Sequence, residues 1–349
     1  MSDRPLRPDP EASAQKAGLT YVTDEMPGFS RKPWGRGFTY LDRDGQTIPQ
    51  GAARERLEAF AIPPAWTEVW ISPTDDTHIL ATGRDEAGRK QYIYHPDWHT
   101  VREEAKFYRM IAFGEALPTI RARVDSDMRK RGLPREKVLA IVVSLLEATL
   151  IRVGNREYAE ANDSYGLTTL RDKHAKIEGS TIHFNFVGKS GKPHSIAITD
   201  RRLARAVKQC REVTGYDLFQ YIDDDGQRQT VGSGDVNDYL REVTGQDFTA
   251  KDFRTWGGTV AAIATLRACE ETDDPEALKG NVLTAIDGVA EALGNSRAVS
   301  RAYYIHPQVL SCYEAGEMIS LLADLTDEIE GLDTDESAML GLIRQLDNG

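Results

Sequence analysis

A chain of 349 residues is too long for one ordinary core and comfortable for two domains. With 40% hydrophobic and 28% charged residues it reads as a globular protein, and no run approaches the ~18 apolar residues of a membrane span. A net charge of −12 excludes a uniformly basic nucleic-acid binder, but the charge is segregated: Leu170 to Arg211 holds ten Lys or Arg against three acids, whereas Glu314 to Gly349 holds ten acids and one Arg.

The opening residues, MSDRPLRPDPEASAQ, lack the apolar stretch of a secretory signal and predict a disordered tail over 1–18. Residues 19–100 predict a small β-rich domain. Phe38–Leu41 precedes a turn at Asp42–Gly45, Glu68–Ser72 alternates before Pro73, and Ile79–Thr82 with Gln91–Tyr94 suggests a hairpin across Gly83–Gly88. Helices are expected over the rest, 101–349. Glu136–Ile151 is apolar almost all round and predicts a buried central helix stopped at Gly154. Between Gly166 and Thr199 an antiparallel insert is expected. Ile182, Phe184 and Phe186 share one strand face, Ile196 and Ile198 another, and Gly188–Lys192 is the turn between them. Val282, Leu283, Ile286, Val289, Ala290 and Leu293 predict one helical face closed by Gly294. The fold class expected is therefore α+β: a β-rich N-terminal domain and a mainly helical domain carrying a small antiparallel sheet. The three cysteines, Cys210, Cys269 and Cys312, are scattered and odd in number, which fits reduced thiols in a cytoplasmic protein.

Some motifs fail on inspection. Gly188-Lys189-Ser190 resembles the end of a phosphate loop, but His183 stands where its first glycine belongs. His95 and His99 have helical metal-ligand spacing, yet Pro96 argues against a helix there, and no two cysteines lie close enough for a zinc knuckle. No metal and no small-molecule cofactor is expected.

Five short segments remain: Ile151-Arg-Val-Gly-Asn155, Val187-Gly-Lys-Ser-Gly191, Lys251-Asp-Phe-Arg-Thr-Trp-Gly257, Leu293-Gly-Asn295 and Val299-Ser-Arg-Ala-Tyr-Tyr304. Singly, each has a dull explanation as a helix cap, a solvated turn or packing. Together and in this order they resemble the catalytic domain of the poxvirus and bacterial type IB DNA topoisomerases, whose active-site plan the tyrosine recombinases share. The resemblance implies Arg152, Arg254 and Asn295 as phosphate donors and Lys189 as general acid, helped by Lys251. It implies Tyr304, nine residues beyond Asn295, as the nucleophile that forms a 3′-phosphotyrosyl bond. Its neighbour Tyr303 is expected to pack into the protein. Gly88-Arg-Lys-Gln-Tyr-Ile-Tyr94 resembles the family's Gln-Tyr-x-Tyr segment, implying that Gln91, Tyr92 and Tyr94 meet DNA. Pro33–Phe38 and Ile62–Trp66 are similar to bacterial members. The family's poxvirus enzymes carry His where this chain has Asn295, a residue that donates a hydrogen bond but cannot act as an acid near neutrality.

The expected function is relaxation of supercoiled double-stranded DNA without ATP or metal. It would be carried out by a monomer in the cytoplasm, associated with the nucleoid and not with a membrane. The alternatives are a tyrosine site-specific recombinase, a non-catalytic DNA-binding protein of the same fold, and an unrelated enzyme acting on a small phosphorylated substrate.

Overall fold

The computed structural model describes residues 10–86, 88–213, 215–223, 225–270, 272–325 and 328–348. The chain divides into two compact units, Met1–Arg109 and Met110–Gly349.

In the first unit α1 (Pro10–Lys16) precedes β1 (Phe29–Trp34) and β2 (Gly37–Leu41). Then come α2 (Ala52–Ala59), β3 (Thr67–Ile71), β4 (Ile79–Arg84) and β5 (Lys90–Tyr94). The strands form one antiparallel sheet ordered β2-β1-β3-β4-β5. Its register aligns Phe29, Ile71, Ala81 and Ile93 in one row. That face closes over Tyr40, Leu57, Ile62 and Val69 as the core of the unit. The opposite face aligns Ser30, Trp70, Thr82 and Tyr92. β1 escapes a reading of the sequence because Pro33 lies in it. The proline is tolerated because only Phe29 and Ser30 pair with β3, so its missing N–H costs no ladder bond on that side.

Three expectations change here. The tail expected over 1–18 is helical from Pro10, because Ala14 is small enough to bury against Leu19 and Trp98; residues 1–9 lie outside the described residues. Pro96, expected to bar a helix, instead opens α3 (Pro96–Met128) at the first position, where a missing N–H is harmless. The two compact units part within this helix, beyond the boundary placed after residue 100 from sequence.

The second unit is built on α4 (Arg135–Thr149), buried from Lys137 to Val143. α5 (Arg156–Asn162) leads into an antiparallel sheet of β6 (Ala175–Glu178), β7 (Thr181–Val187) and β8 (Pro193–Thr199), ordered β6-β7-β8. α6 (Arg201–Glu212), the short β9 (Gln220–Ile222) and β10 (Arg228–Thr230), and α7 (Ser233–Thr244) follow. α8 (Ala250–Arg267) and α9 (Pro275–Leu293) pack on each other and on the elements that end the chain. These are α10 (Arg297–Tyr303), α11 (Pro307–Glu314), α12 (Met318–Ala323) and α13 (Thr334–Asn348). Aromatic edges of Phe113, Phe253 and Trp256 knit α3 to α8, and Phe248, just before α8, joins the same cluster. Among the described residues no helix is long and apolar enough to cross a membrane.

Candidate active site

α4 ends two residues before Ile151, the end its apolar pattern predicts. It stops at Leu150, a non-glycine residue held in the left-handed region at φ 53°. Two contacts hold this costly conformation. The Leu150 side chain lies so close to Gly257 that a Cβ there would fall 2.6 Å from it, and the Leu150 carbonyl accepts a hydrogen bond from Arg254. The next residues, Ile151–Gly154, belong to no helix or strand and are pinned. Leu167 N–H donates to the Arg152 carbonyl at 2.9 Å, and Thr168 N–H to that of Val153 at 2.7 Å. Gly154, at φ 104°, serves this crossing and not a helix stop. A Cβ on Gly166 would lie 2.6 Å from both the Gly154 nitrogen and the Arg152 carbonyl oxygen.

From this loop the half-buried Arg152 donates through Nη2 to Asn295 Oδ1 at 2.5 Å. Asn295 follows Gly294, whose left-handed φ of 61° ends α9 as the sequence predicts. Arg254 sits in the first turns of α8, 4% exposed, with Nη2 donating to the Leu293 carbonyl at 3.0 Å. Both Nη groups of Arg254 thus reach backbone carbonyls, on Leu150 and Leu293. Arg254, expected as a phosphate donor, is also part of the frame. It joins the end of α4 to the end of α9 and leaves fewer of its five N–H bonds for a ligand. Its Nε and the Nδ2 of Asn295 are buried donors that meet no acceptor among the described residues. Burial, and secondarily the charge of Arg152, bring the Arg254 guanidinium down to about 10, still far enough above neutrality to remain charged.

Tyr304 lies within electrostatic reach of these cations. The Arg254 guanidinium carbon lies 5.0 Å from the centroid of its ring. Burial on its own pushes the phenol up. The charge and hydrogen bond of Arg254, with the charges of Arg152 and Lys251, outweigh it and hold Tyr304 below the ordinary tyrosine value. Its backbone is fixed as firmly: Tyr304 N–H donates to Ser300 at 3.0 Å, and its carbonyl accepts from Thr259 Oγ1 at 3.3 Å. A Cβ on Gly258 would lie 2.6 Å from that carbonyl oxygen.

Tyr303 does not pack inside as expected; it is 42% exposed. α10 ends at Tyr303, and Tyr304 leaves the helix at φ −134°, ψ −4°, so the chain turns at Tyr304 and buries Ile305 and His306. Lys251 lies one helical turn before Arg254 and is exposed. Lys189 stands on the β7–β8 turn, where the sequence places it, with Ser190 left-handed at φ 64°. Among the described residues no hydrogen bond or ion pair holds its ammonium. In the first unit Tyr92 and Tyr94 share one face, their rings stacked at 5.5 Å. Gln91, paired with Gly83, alternates to the other face and donates to Asp85 at 2.9 Å. Leu150, Gly258 and Thr259 go unread from sequence; a glycine pair at 257–258 inside an otherwise strong helix is the signal that something approaches there.

The comparisons with known proteins cover these residues. Residues 95–325 match the model described as eukaryotic DNA topoisomerase I, catalytic core, and residues 37–85 match bacterial DNA topoisomerase IB, N-terminal domain. The chain belongs to the type IB DNA topoisomerase family. It is 32% identical over 296 residues to DNA topoisomerase 1B of Acanthamoeba polyphaga mimivirus, covering 83% of this chain and 88% of that protein. It is 21% identical over 286 residues to DNA topoisomerase 1B of vaccinia virus (strain Copenhagen), covering 78% and 86%. To DNA topoisomerase 1 of rabbit fibroma virus (strain Kasza) it is 25% identical over 320 residues, covering 86% and 97%. Among solved structures, XerH site-specific recombinase bound to palindromic difH, a post-cleavage complex, aligns with a TM-score of 0.36 and 16% identity. That match spans 56% of this chain and 49% of that one, a likeness too loose to bear on function. All six site residues of the second unit fall inside the match to the topoisomerase catalytic core. Gln91, Tyr92 and Tyr94 fall between the two matched segments.

Proposed function

We propose that this protein relaxes supercoiled double-stranded DNA by cutting one strand and resealing it through Tyr304. The observation that carries the reading is the Arg254 guanidinium over the Tyr304 ring, with the charges of Arg152 and Lys251 in reach of the phenol and two buried donors, Arg254 Nε and Asn295 Nδ2, left without an acceptor among the described residues. Attack on a phosphodiester builds negative charge on the phosphorus oxygens. Fixed donors in a water-poor site stabilise that charge strongly, and losing one commonly costs roughly 10²–10³ in rate.

The Tyr304 phenol, its acidity raised by the cations, gives its proton to water; its Oη forms a bond to phosphorus, and the bond from phosphorus to the 5′ oxygen breaks. An alkoxide is a poor leaving group, so Lys189 hands it a proton, with Lys251 in support. The resulting 3′-phosphotyrosyl ester conserves the phosphodiester, so the 5′-hydroxyl reverses the step without ATP. While the strand is open, the free end rotates and supercoils of either sign are lost. Arg152 and Asn295, already bonded to each other, hold the non-bridging oxygens. Arg254 contributes its charge and its remaining N–H groups. Tyr92 and Tyr94 contact DNA from the N-terminal unit with Gln91 at their margin, and one chain carries the whole catalytic set, so a monomer suffices.

The test is incubation with negatively and positively supercoiled plasmid in EDTA, without nucleotide. Relaxation of both is expected. Activity that vanishes in EDTA and returns only with Mg²⁺ contradicts the mechanism, and recombination of paired sites without relaxation contradicts the function.

A further inference from the structure

His194 has no part in the chemistry above, yet it sits between the two loops that carry Lys189 and Asn295. It is the second residue of β8 and pairs across the strand with Phe186, on which its ring stacks at 5.0 Å and 9°. One edge of the ring presses on Gly188, the residue before Lys189: a Cβ there would fall 2.6 Å from both Cδ2 and Nε2. The other edge presses on Gly294, the residue before Asn295, where a Cβ would fall 2.4 Å from Cε1. Gly294 needs to be glycine in any case for its left-handed φ, but Gly188, at φ −97°, does not. Only the imidazole explains it.

We propose that His194 is a positioning residue that sets the Lys189 turn against the Gly294–Asn295 loop, and so fixes where the general acid meets the leaving 5′ oxygen. The inference rests on the proposed role of Lys189. Burial, then the charges of Arg152, Arg254 and Lys192, hold the imidazole below its ordinary value. It is therefore a neutral, flat spacer near neutrality and adds no cation to the cluster. The turn needs such a wedge. Among the described residues no hydrogen bond or ion pair holds the Lys189 side chain, and the turn itself is closed by two backbone bonds, Gly188 N–H to Lys192 at 2.7 Å and Gly191 N–H to Gly188 at 3.1 Å.

The experiment measures single-turnover cleavage by the full chain on two suicide substrates. They are identical except that one carries sulfur in place of the bridging 5′ oxygen at the scissile phosphate. A thiolate leaves without a proton, so that substrate bypasses the general acid. His194→Ala should slow cleavage of the oxygen substrate about 10²-fold, the order expected when a reacting group shifts by ~1 Å. It should bind DNA normally and cleave the sulfur substrate at nearly the wild-type rate. Gly188→Ala, which pushes the same ring from outside, should show the same pattern, so the result does not depend on one variant's folding. Lys189→Ala is the control. If it is rescued by sulfur but His194→Ala and Gly188→Ala are equally slow on both substrates, or not slowed at all, the positioning role is wrong. If Lys189→Ala is not rescued, the general-acid assignment falls first and takes this inference with it.

Discussion

At Tyr304 two effects of opposite sign meet on one oxygen. Burial favours the neutral phenol, and Arg254, Arg152 and Lys251 favour the phenolate more. The sign fixes the pH behaviour: the Tyr304 phenolate is populated below the ordinary tyrosine value near 10. Cleavage on the sulfur-bridged substrate, where no general acid is needed, should therefore level off below that value. Arg152→Ala should lower the plateau by roughly 10²–10³ and move the pH of levelling off upward, because one of the cations is gone; a pH–rate profile unchanged in position would show that Arg152 does not act on Tyr304. Most of this cluster is legible in the sequence as ordered motifs, since guanidinium, amide and phenol at those positions have one chemistry in common. The division of labour is not. Arg254 spends its Nη groups on the carbonyls of Leu150 and Leu293, and those carbonyls have no side-chain signature to read.

The elements place these residues by ending where they do. α4 ends early because left-handed Leu150 is held by Gly257 and Arg254, which lie a hundred residues further along; no local signal marks the stop, and Gly154 is a misleading one. By contrast the β7–β8 hairpin and the Gly294 cap are written locally, as alternation around a glycine-bounded turn and as an apolar helical face closed by glycine. α8 contributes a second close approach, between Gly258 and the Tyr304 carbonyl. Gly258→Ala should force Tyr304 away from α8. Covalent adduct formation should fall by about 10²-fold or more, with DNA affinity little changed because the cations stay in place. Adduct yield on a suicide strand, read beside a filter-binding isotherm, checks this. Normal cleavage by Gly258→Ala would mean that the contact does not position the nucleophile.

Across the whole molecule the acidic C-terminal stretch proves to be part of the second unit's core, which its composition hides. α13 buries Met339, Leu340, Leu342 and Ile343, and Glu336 links it to α3 and α8. Glu336 accepts from Arg121 at 2.7 and 2.9 Å and from Trp256 Nε1 at 3.0 Å. Arg121 also bonds Glu147 at 2.7 Å. Burial opposes ionisation of Glu336, but Arg121, the Asp333 N–H and Trp256 win and hold it below the usual carboxylate range. Its contribution to stability is therefore complete above the unfolded value near 4.3 and is lost as pH falls through the lower folded value. Burial raises Glu147 beyond what Arg121 recovers, so its charge costs stability near neutrality and that cost fades in acid. Glu336→Gln should destabilise the protein by about 1–3 kcal/mol at pH 7, and the difference should shrink as the pH falls below 4, whereas Glu147→Gln should be neutral or stabilising. Urea unfolding at several pH values distinguishes them. Equal losses in both variants would overturn the assignment of sign.

Of two adjacent tyrosines, only one can become bonded to DNA. Tyr304 faces the cations and Tyr303 faces out, so the nucleotide trapped on a nicked suicide substrate should map by peptide sequencing to Tyr304. Tyr304→Phe should bind DNA with near-normal affinity and form no adduct, and Tyr303→Phe should still cleave. A nucleotide found on Tyr303, or cleavage by the Tyr304→Phe protein, would contradict the account.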